Sequence, residues 1–160
     1  MADLFENPLG TDGFEFVEYT SPEPEKLAQL FTLLGFTPVA KHKTRDIVRF
    51  KQGDINFLVN REQTGQAAEF RAAHGPSANA MAFRVKDAKK AYADALERGA
   101  EPFGAGIWTD GETIPAIKGI GGSALYLVDR YGEQTIYDEL FEPIPGAKDK
   151  GGVGLEVLDH

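Results

Sequence analysis

Short runs of alternating apolar and polar residues recur along the chain, and each of them predicts a β-strand. Residues 14–19 alternate apolar side chains with glutamates, the pattern of a strand with one face buried and the other in solvent. Two later runs are joined by Gly53 and Asp54, which predict a tight turn. Residues 123–128 are mostly apolar and predict a buried strand, and residues 136–141 predict a further extended segment. The complete set of predicted strands is residues 14–19, 36–40, 46–50, 55–59, 78–85, 114–118, 123–128 and 136–141.

Apolar residues that recur every three or four positions predict three helices between these strands. The first helix follows the N-cap residue Ser21 and ends at Gly35, and its predicted apolar stripe is Leu27, Leu30, Phe31 and Leu34. The second covers residues 62–74. The third follows the N-cap residue Asp87 and ends at Gly99, with a predicted inner face of Ala88, Ala91, Tyr92, Ala95 and Leu96.

The order of these elements repeats, which predicts two modules of the same architecture. A strand, a capped helix, a Gly-x-x-Pro sequence and three strands occur twice, at an offset of about 64–66 residues, over residues 13–60 and 78–142. Modules of this kind pack together to bury faces that neither can bury alone. We therefore expect an α+β fold, in which two tandem βαβββ modules form a curved eight-stranded mixed sheet with helices on the outside.

The last eighteen residues predict a boundary after this first domain. Residues 143–154 contain two prolines and four glycines and are typical of a linker. Residues 155–160 alternate again and predict the first strand of a second domain, cut off after His160. The predicted organisation is a domain over 1–142, a linker over 143–154 and a truncated second domain over 155–160.

Composition and charge exclude several classes of function. The formal net charge is −8, which opposes binding to nucleic acid or to an anionic membrane surface. No apolar run approaches the roughly 18 residues of a membrane span, and the N-terminus lacks the pattern of a signal peptide. The chain has no cysteine, which excludes disulfides and thiolate chemistry. We expect a cytoplasmic protein.

Several stretches of the chain match a known pattern. They are residues 1–10 with 13–16, 74–77, 80–87, 91–92, 115–122, 125–130 and 155–160, and the most specific are 115–122 followed by 125–130. On these residues the chain resembles the vicinal oxygen chelate superfamily, whose fold is glyoxalase-like. More specifically, it is similar to the N-terminal part of the 4-hydroxyphenylpyruvate dioxygenase family.

This resemblance implies a function for the complete protein. The family's enzymes are about twice as long, and they convert 4-hydroxyphenylpyruvate and O₂ into homogentisate and CO₂ in tyrosine catabolism. Their Fe(II) site lies in the C-terminal domain and uses two histidines and one glutamate. His160 matches the first of these ligands, and no other residue of the chain matches a catalytic position. One histidine cannot hold iron in that geometry, so we expect the chain alone to be inactive and without bound cofactor.

The same resemblance leaves the role of this half and the identity of the product open. We expect the chain to support a C-terminal catalytic domain and to contribute to a homo-oligomer. The alternatives are the N-terminal domain of a 4-hydroxymandelate synthase and a free-standing small-molecule-binding module of the superfamily. A domain fused to a dehydroshikimate dehydratase is a further alternative, against which the start at Met1 argues.

Other residues that invite a functional interpretation have plainer explanations. We expect His42 to lie on a solvated strand edge, since Lys41 and Lys43 disfavour a bound cation, and His74 to cap the second helix. Glycines in residues 119–122 precede a strand rather than a helix, so they predict a tight turn and not a phosphate loop. The acidic residues Asp138, Glu139 and Glu142 are expected on a solvated strand. Trp108 is a candidate contact residue between domains or subunits, with local packing as the alternative.

Overall fold

The computed structural model describes residues 6–104 and 114–160, and in them an eight-stranded mixed sheet is combined with four short helices. The predicted α+β class and strand number are therefore confirmed. Trp108 lies outside the described residues. The helices are α1 Pro24–Leu33, α2 Gln66–His74, α3 Ala88–Glu97 and α4 Ile136–Leu140. The strands are β1 Thr11–Thr20, β2 Thr37–His42, β3 Ile47–Gln52, β4 Ile55–Asn60, β5 Ser77–Val85, β6 Ala116–Lys118, β7 Ala124–Val128 and β8 Phe141–Pro143.

The strand order shows where the two modules meet. The order is β6-β7-β5-β1-β4-β3-β2-β8, with β1 and β5 antiparallel at the centre. In the first module β1 is parallel to β4, and in the second β5 is parallel to β7. After β7, the chain returns through α4 to β8, which pairs with β2 of the first module. In the second module, the counterpart of β2 is reduced to one bridge between Pro102 and Ile117.

The segment predicted as a strand over 136–141 is instead the helix α4 followed by β8. Thr135 and Asp138 form a reciprocal capping box, in which each side chain accepts a hydrogen bond from the other residue's backbone N–H. This Thr-x-x-Asp arrangement satisfies the free N–H groups of a helix start, which favours the helix over a strand. After one turn the chain straightens and pairs with β2, which is thereby covered at its outer edge.

Helices α1 and α3 each cover one module on the outer face of the sheet, whereas both modules share one core on the inner face. Phe31 of α1 is buried against β3 and β4, and Ala91 of α3 packs with Val85 and Leu127. On the inner face, α4 and β8 pack against side chains from β1 to β7. The buried residues of this shared core are Phe16, Ala40, Ile47, Leu58, Ala80, Ala82, Ile114, Ala116, Ala124, Tyr126, Val128, Ile136, Tyr137, Leu140 and Phe141.

The apolar stripe predicted for α1 is only partly buried. The helix begins at Pro24 rather than just after Ser21, whose hydroxyl accepts a hydrogen bond from the Glu23 N–H. Phe31 is buried and Leu27 packs beside it, but Leu30 and Leu34 remain about half exposed. A short helix lying on a sheet contacts it along a narrow line, so the flanking leucines stay outside the contact.

The predicted linker and the strand predicted after it form a strap, residues 144–157, that lies along the sheet. The Ile144 N–H donates to the Val39 carbonyl, and the Asp54 N–H donates to the Glu156 carbonyl at 2.7 Å. Residues 155–160 form no strand. Within residues 6–104 and 114–160, no helix has the length and apolar character needed to cross a bilayer.

Candidate functional site

His160, the one residue that the sequence connects with a metal, lies in solvent at the end of the strap. Its side chain is 94% exposed, and its Nδ1 lies 2.8 Å from the Asp159 carboxylate. Among the described residues, no three histidine, aspartate or glutamate side chains are grouped so that they could hold a metal ion. The residues present therefore do not fit a complete iron site, and His160 offers a single imidazole nitrogen.

The chain's own α4 covers most of the inner face of the sheet and leaves a groove of about 380 Å³ beside Tyr137. The Tyr137 hydroxyl donates to the Glu15 carbonyl at 3.3 Å, and the Arg49 guanidinium lies 3.5 Å from the centre of the Tyr137 ring. Burial raises the pKa of Tyr137 well above its ordinary value of 10.0. A phenol that stays protonated and buried fills space and fixes α4, and it is not placed to act as a base.

Two glutamates of β1 that were expected in solvent are both buried, because β1 lies at the centre of the sheet. Glu15 and Glu18 are each 3% exposed. Glu15 is charge-compensated, since its carboxylate accepts a hydrogen bond from Arg84 Nε at 2.6 Å. The alternation predicted one buried and one solvated face, but a central strand with elements packed on both sides has two buried faces.

Glu18 has amide partners rather than a charged one in direct contact. Its Oε1 accepts hydrogen bonds from the side-chain amides of Asn60 at 2.9 Å and Asn79 at 2.6 Å, while its Oε2 has no partner. The Oδ1 atom of Asn79 is likewise without one. Burial raises the pKa of Glu18 above its ordinary value of 4.5. This carboxyl group retains its proton more readily than a solvated one, but it is closed off from any substrate.

The two other histidines lie elsewhere than predicted. His42 is buried because β8 covers the strand edge on which it was expected to be solvated. Its Nδ1 accepts from the Thr44 N–H at 3.2 Å, and its ring packs edge-on against Phe141. His74 does not cap α2. Its Nε2 lies 3.1 Å from the Gly121 carbonyl oxygen, and its ring packs against Phe70.

The glycine-rich turn is confirmed as a turn, and the acidic cluster has structural partners. Residues Ile120–Gly122 form a 3₁₀ turn before β7. Asp138 belongs to the capping box of α4, where hydrogen bonds from Thr135 lower its pKa. Glu139 forms an ion pair with Arg130. Asp138 and Glu139 lie on a helix rather than on the predicted strand, whereas Glu142 is exposed on the strand β8, as predicted. Neither Asp138 nor Glu139 is paired with another carboxylate in the manner of an acid–base site.

Gln52 holds the strap that leads to His160, and no motif in the sequence marks it as a functional residue. Its side chain is fully buried at the end of β3. Its Oε1 accepts from the backbone N–H of Val153 at 2.7 Å and of Leu155 at 3.2 Å, and its Nε2 donates to the Leu34 carbonyl at 3.0 Å. A glutamine at a strand end carries no pattern that reveals such contacts, because all its partners are backbone atoms of distant segments.

Glycines allow the strap to approach this closely. A Cβ on Gly35 would lie 2.9 Å from the Val153 nitrogen, and one on Gly53 would lie 2.6 Å from the Leu155 carbonyl oxygen. Both glycines also have positive φ, which side chains with a Cβ rarely adopt. Gly152 has the same two features, and its Cβ would collide with the Gly35 carbonyl and the Gln52 carboxamide. The glycines that predict a linker therefore allow this segment to pack closely against the domain.

Comparisons with known proteins place the chain among relatives that are longer. Residues 5–142 match the family model described as the N-terminal region of hydroxyphenylpyruvate dioxygenase. A 4-hydroxyphenylpyruvate dioxygenase of Pseudomonas aeruginosa is 51% identical over 158 residues, which are 96% of this chain and 44% of the relative. This chain thus spans less than half of that relative's length.

Solved structures show the same fold. A fusion protein of a xylose isomerase-like TIM barrel with 4-hydroxyphenylpyruvate dioxygenase matches with a TM-score of 0.81 and 34% identity, covering 98% of this chain and 25% of that one. A mutant of 4-hydroxymandelate synthase from Streptomyces coelicolor matches with a TM-score of 0.66 and 19% identity, covering 88% and 44%. The second likeness is one of fold alone.

Proposed function

This chain belongs to the N-terminal domain family of hydroxyphenylpyruvate dioxygenase, and we propose that it is the non-catalytic, supporting half of a 4-hydroxyphenylpyruvate dioxygenase. The complete enzyme would convert 4-hydroxyphenylpyruvate and O₂ into homogentisate and CO₂, in tyrosine catabolism. The observation that carries the proposal is the family match over residues 5–142, together with relatives that are more than twice as long.

The geometry of the chain supports a supporting role rather than a catalytic one. The inner face of its sheet is occupied by α4, and the described residues lack a three-ligand metal cluster. We propose that His160 supplies one of three ligands to Fe(II), with a second histidine and a glutamate from the polypeptide that follows. A site with two histidines and one carboxylate leaves positions open for substrate and O₂. The contribution of this chain is to deliver the imidazole of His160 at the end of a strap held by Gln52.

The proposal extends to location and assembly. We propose a cytoplasmic enzyme, since a chain without cysteine is suited to a reducing compartment. We also propose a homo-oligomer, which sedimentation of the longer protein tests. A 4-hydroxymandelate synthase would use the same substrate, and identification of the product made by the longer protein distinguishes the two activities.

Iron titration tests whether the 160-residue chain alone lacks a complete iron site. We expect Fe(II), added under anaerobic conditions to the 160-residue chain, to form no tight one-to-one complex in calorimetry, and the chain to consume no O₂ with 4-hydroxyphenylpyruvate. In the longer protein, His160→Ala should abolish iron retention. His74→Ala removes an imidazole that contacts only Phe70 and the Gly121 turn among the contacts described above, and it should leave the iron content unchanged. A tight iron complex or turnover by the 160-residue chain would contradict the proposal.

A further inference from the structure

Large apolar side chains that remain exposed are concentrated in one part of the molecule. Among the described residues, seven large hydrophobic side chains are strongly exposed, and only Ile120 belongs to neither α1, its C-cap nor the strap. Leu33 is 82% exposed and Val153 is 72% exposed. We call the other six residues the docking patch: Leu30, Leu33, Leu34, Val153, Leu155 and Val157.

Gln52 joins the two halves of the docking patch into one surface. Its carboxamide binds the Leu34 carbonyl on one side and the Val153 and Leu155 amides on the other. The helix end and the strap therefore lie within the span of a single side chain. Leu30 is one helical turn before Leu34 and extends the same surface along α1.

The docking patch therefore exposes apolar side chains to solvent, and contacts of Gln52 hold these side chains in position. Burying a leucine or valine side chain contributes about 1.5–3 kcal/mol, and none of this is gained while the side chain is exposed. Single exposed hydrophobic residues are ordinary, but contiguous patches mark surfaces of interaction. The buried polar atoms of Gln52 are satisfied only while the strap is in place, so the patch is held in shape before any partner arrives.

We infer that the docking patch is the surface against which the polypeptide that follows residue 160 folds and packs. The inference rests on the proposed function, which supplies the occupant. Three of the six patch residues lie between residues 153 and 157, immediately before the sequence that continues in the relatives, where more than half of the length remains. A following domain attached through His160 is present at high effective concentration beside the patch, whereas a second copy of the chain is not. A groove of about 640 Å³ beside α1, lined in part by Leu33 and Ile144, continues from the patch and offers room for an inserted side chain.

The test compares two exposed apolar residues in the longer protein that the proposed function implies. Leu33→Lys places a charge in the docking patch, and Ile120→Lys places the same charge on an equally exposed turn outside it. A lysine at the C-terminal end of α1 is favourable for the helix, so any loss does not come from the helix itself. In the 160-residue chain both variants should unfold like the parent. In the longer protein, Leu33→Lys alone should separate one unfolding transition into two and speed hydrogen exchange of residues 151–157 about tenfold or more.

The outcomes separate failure of this inference from failure of the proposed function. Equal behaviour of the two variants in the longer protein would overturn the docking role, whatever the enzyme's activity. Dimerisation of the 160-residue chain that Leu33→Lys abolishes and Ile120→Lys does not would assign the patch to a second copy, which also overturns it. A longer protein that lacks dioxygenase activity, yet is uncoupled by Leu33→Lys alone, would remove the proposed function and keep the docking surface.

Discussion

The inner face of the sheet and the docking patch are both apolar, but the chain completes one and leaves the other open. On the inner face, α4 covers the strands and its residues are at most about 5% exposed where they enter the core. At the docking patch the leucines of α1 have only the strap beside them, and the strap adds further exposed apolar side chains. The difference shows that α4 closes most of the inner face, apart from a groove beside Tyr137, and that most of the exposed large apolar side chains lie on α1 and the strap.

The closed face also differs between the two modules. In the first module the shared core receives large side chains, such as Phe16, Ile47 and Leu58, whereas β5 and β6 contribute alanines. Helix α4 adds Ile136, Tyr137 and Leu140 to this core, and Tyr137 contacts Arg49 and the Glu15 carbonyl of the first module. The helix therefore packs against strands of the first module, although it follows the second module in the chain.

The largest expected loss of stability comes from a substitution that creates a cavity on the inner face of the sheet. Leu140→Ala should lower the free energy of unfolding of the 160-residue chain by about 2–5 kcal/mol, because it removes a buried side chain and leaves a cavity. Urea denaturation measures this loss. Leu33→Ala is the matched control, a leucine in a helix that is 82% exposed, and it should change stability by no more than about 0.5 kcal/mol. Equal losses would show that the patch is already covered in the isolated chain.

Much of the outer framework was predictable from local signals. The N-cap Asp87, which accepts a hydrogen bond from the Lys90 N–H, and the buried Ala88, Ala91 and Ala95 follow from spacing alone. The turn at Gly53 between β3 and β4 is equally local. Signals of this kind survive folding because they depend on neighbours within four residues.

The failures occur where long-range packing overrides the local pattern. The extended segment predicted over residues 136–141 is a helix up to Leu140, because the capping box of Thr135 and Asp138 favours a helix start. Glu15 and Glu18 follow a half-buried pattern, but both faces of β1 are covered. His160 was found through resemblance, whereas Gln52 was missed, because its role depends on backbone atoms about one hundred residues further along the chain.

A smaller loss of stability should follow when the strap is released from α1. Gln52→Ala removes three hydrogen bonds that tie the strap to α1, and it should cost about 1–3 kcal/mol. Hydrogen exchange of residues 151–157 should rise more than exchange in the sheet centre, because the strap opens before the rest unfolds. Gln29→Ala on the exposed side of α1 is the control and should leave the strap unchanged. Uniform acceleration over the whole chain would show that Gln52 supports the fold in general rather than the strap.

The smallest expected change in stability concerns Glu18, whose carboxyl group is buried in the closed region with one oxygen that has no hydrogen-bond partner. Because burial raises its pKa above 4.5, the folded state binds the proton more tightly than the unfolded state, and stability is lost as the pH rises from about 4.5 through the folded pKa. Glu18→Gln is neutral at every pH and carries no buried charge. It should therefore become more stable than the parent as the pH rises, by on the order of 1 kcal/mol at the alkaline end. Denaturation between pH 5 and pH 9 should show this gain growing with pH.

The matched substitution three residues earlier, Glu15→Gln, should change the stability of the chain in the opposite direction. Glu15→Gln removes the charge partner of Arg84, whose guanidinium is only 24% exposed, so this variant should be less stable than the parent. If instead both variants lose stability, or if the gain of Glu18→Gln shrinks as the pH rises, then Glu18 is ionised and compensated in the folded chain. In that case both buried carboxylates, Glu15 and Glu18, are ionised and compensated by partners. The closed region then differs from the docking patch in two ways, because its polar groups are satisfied and its apolar side chains are buried.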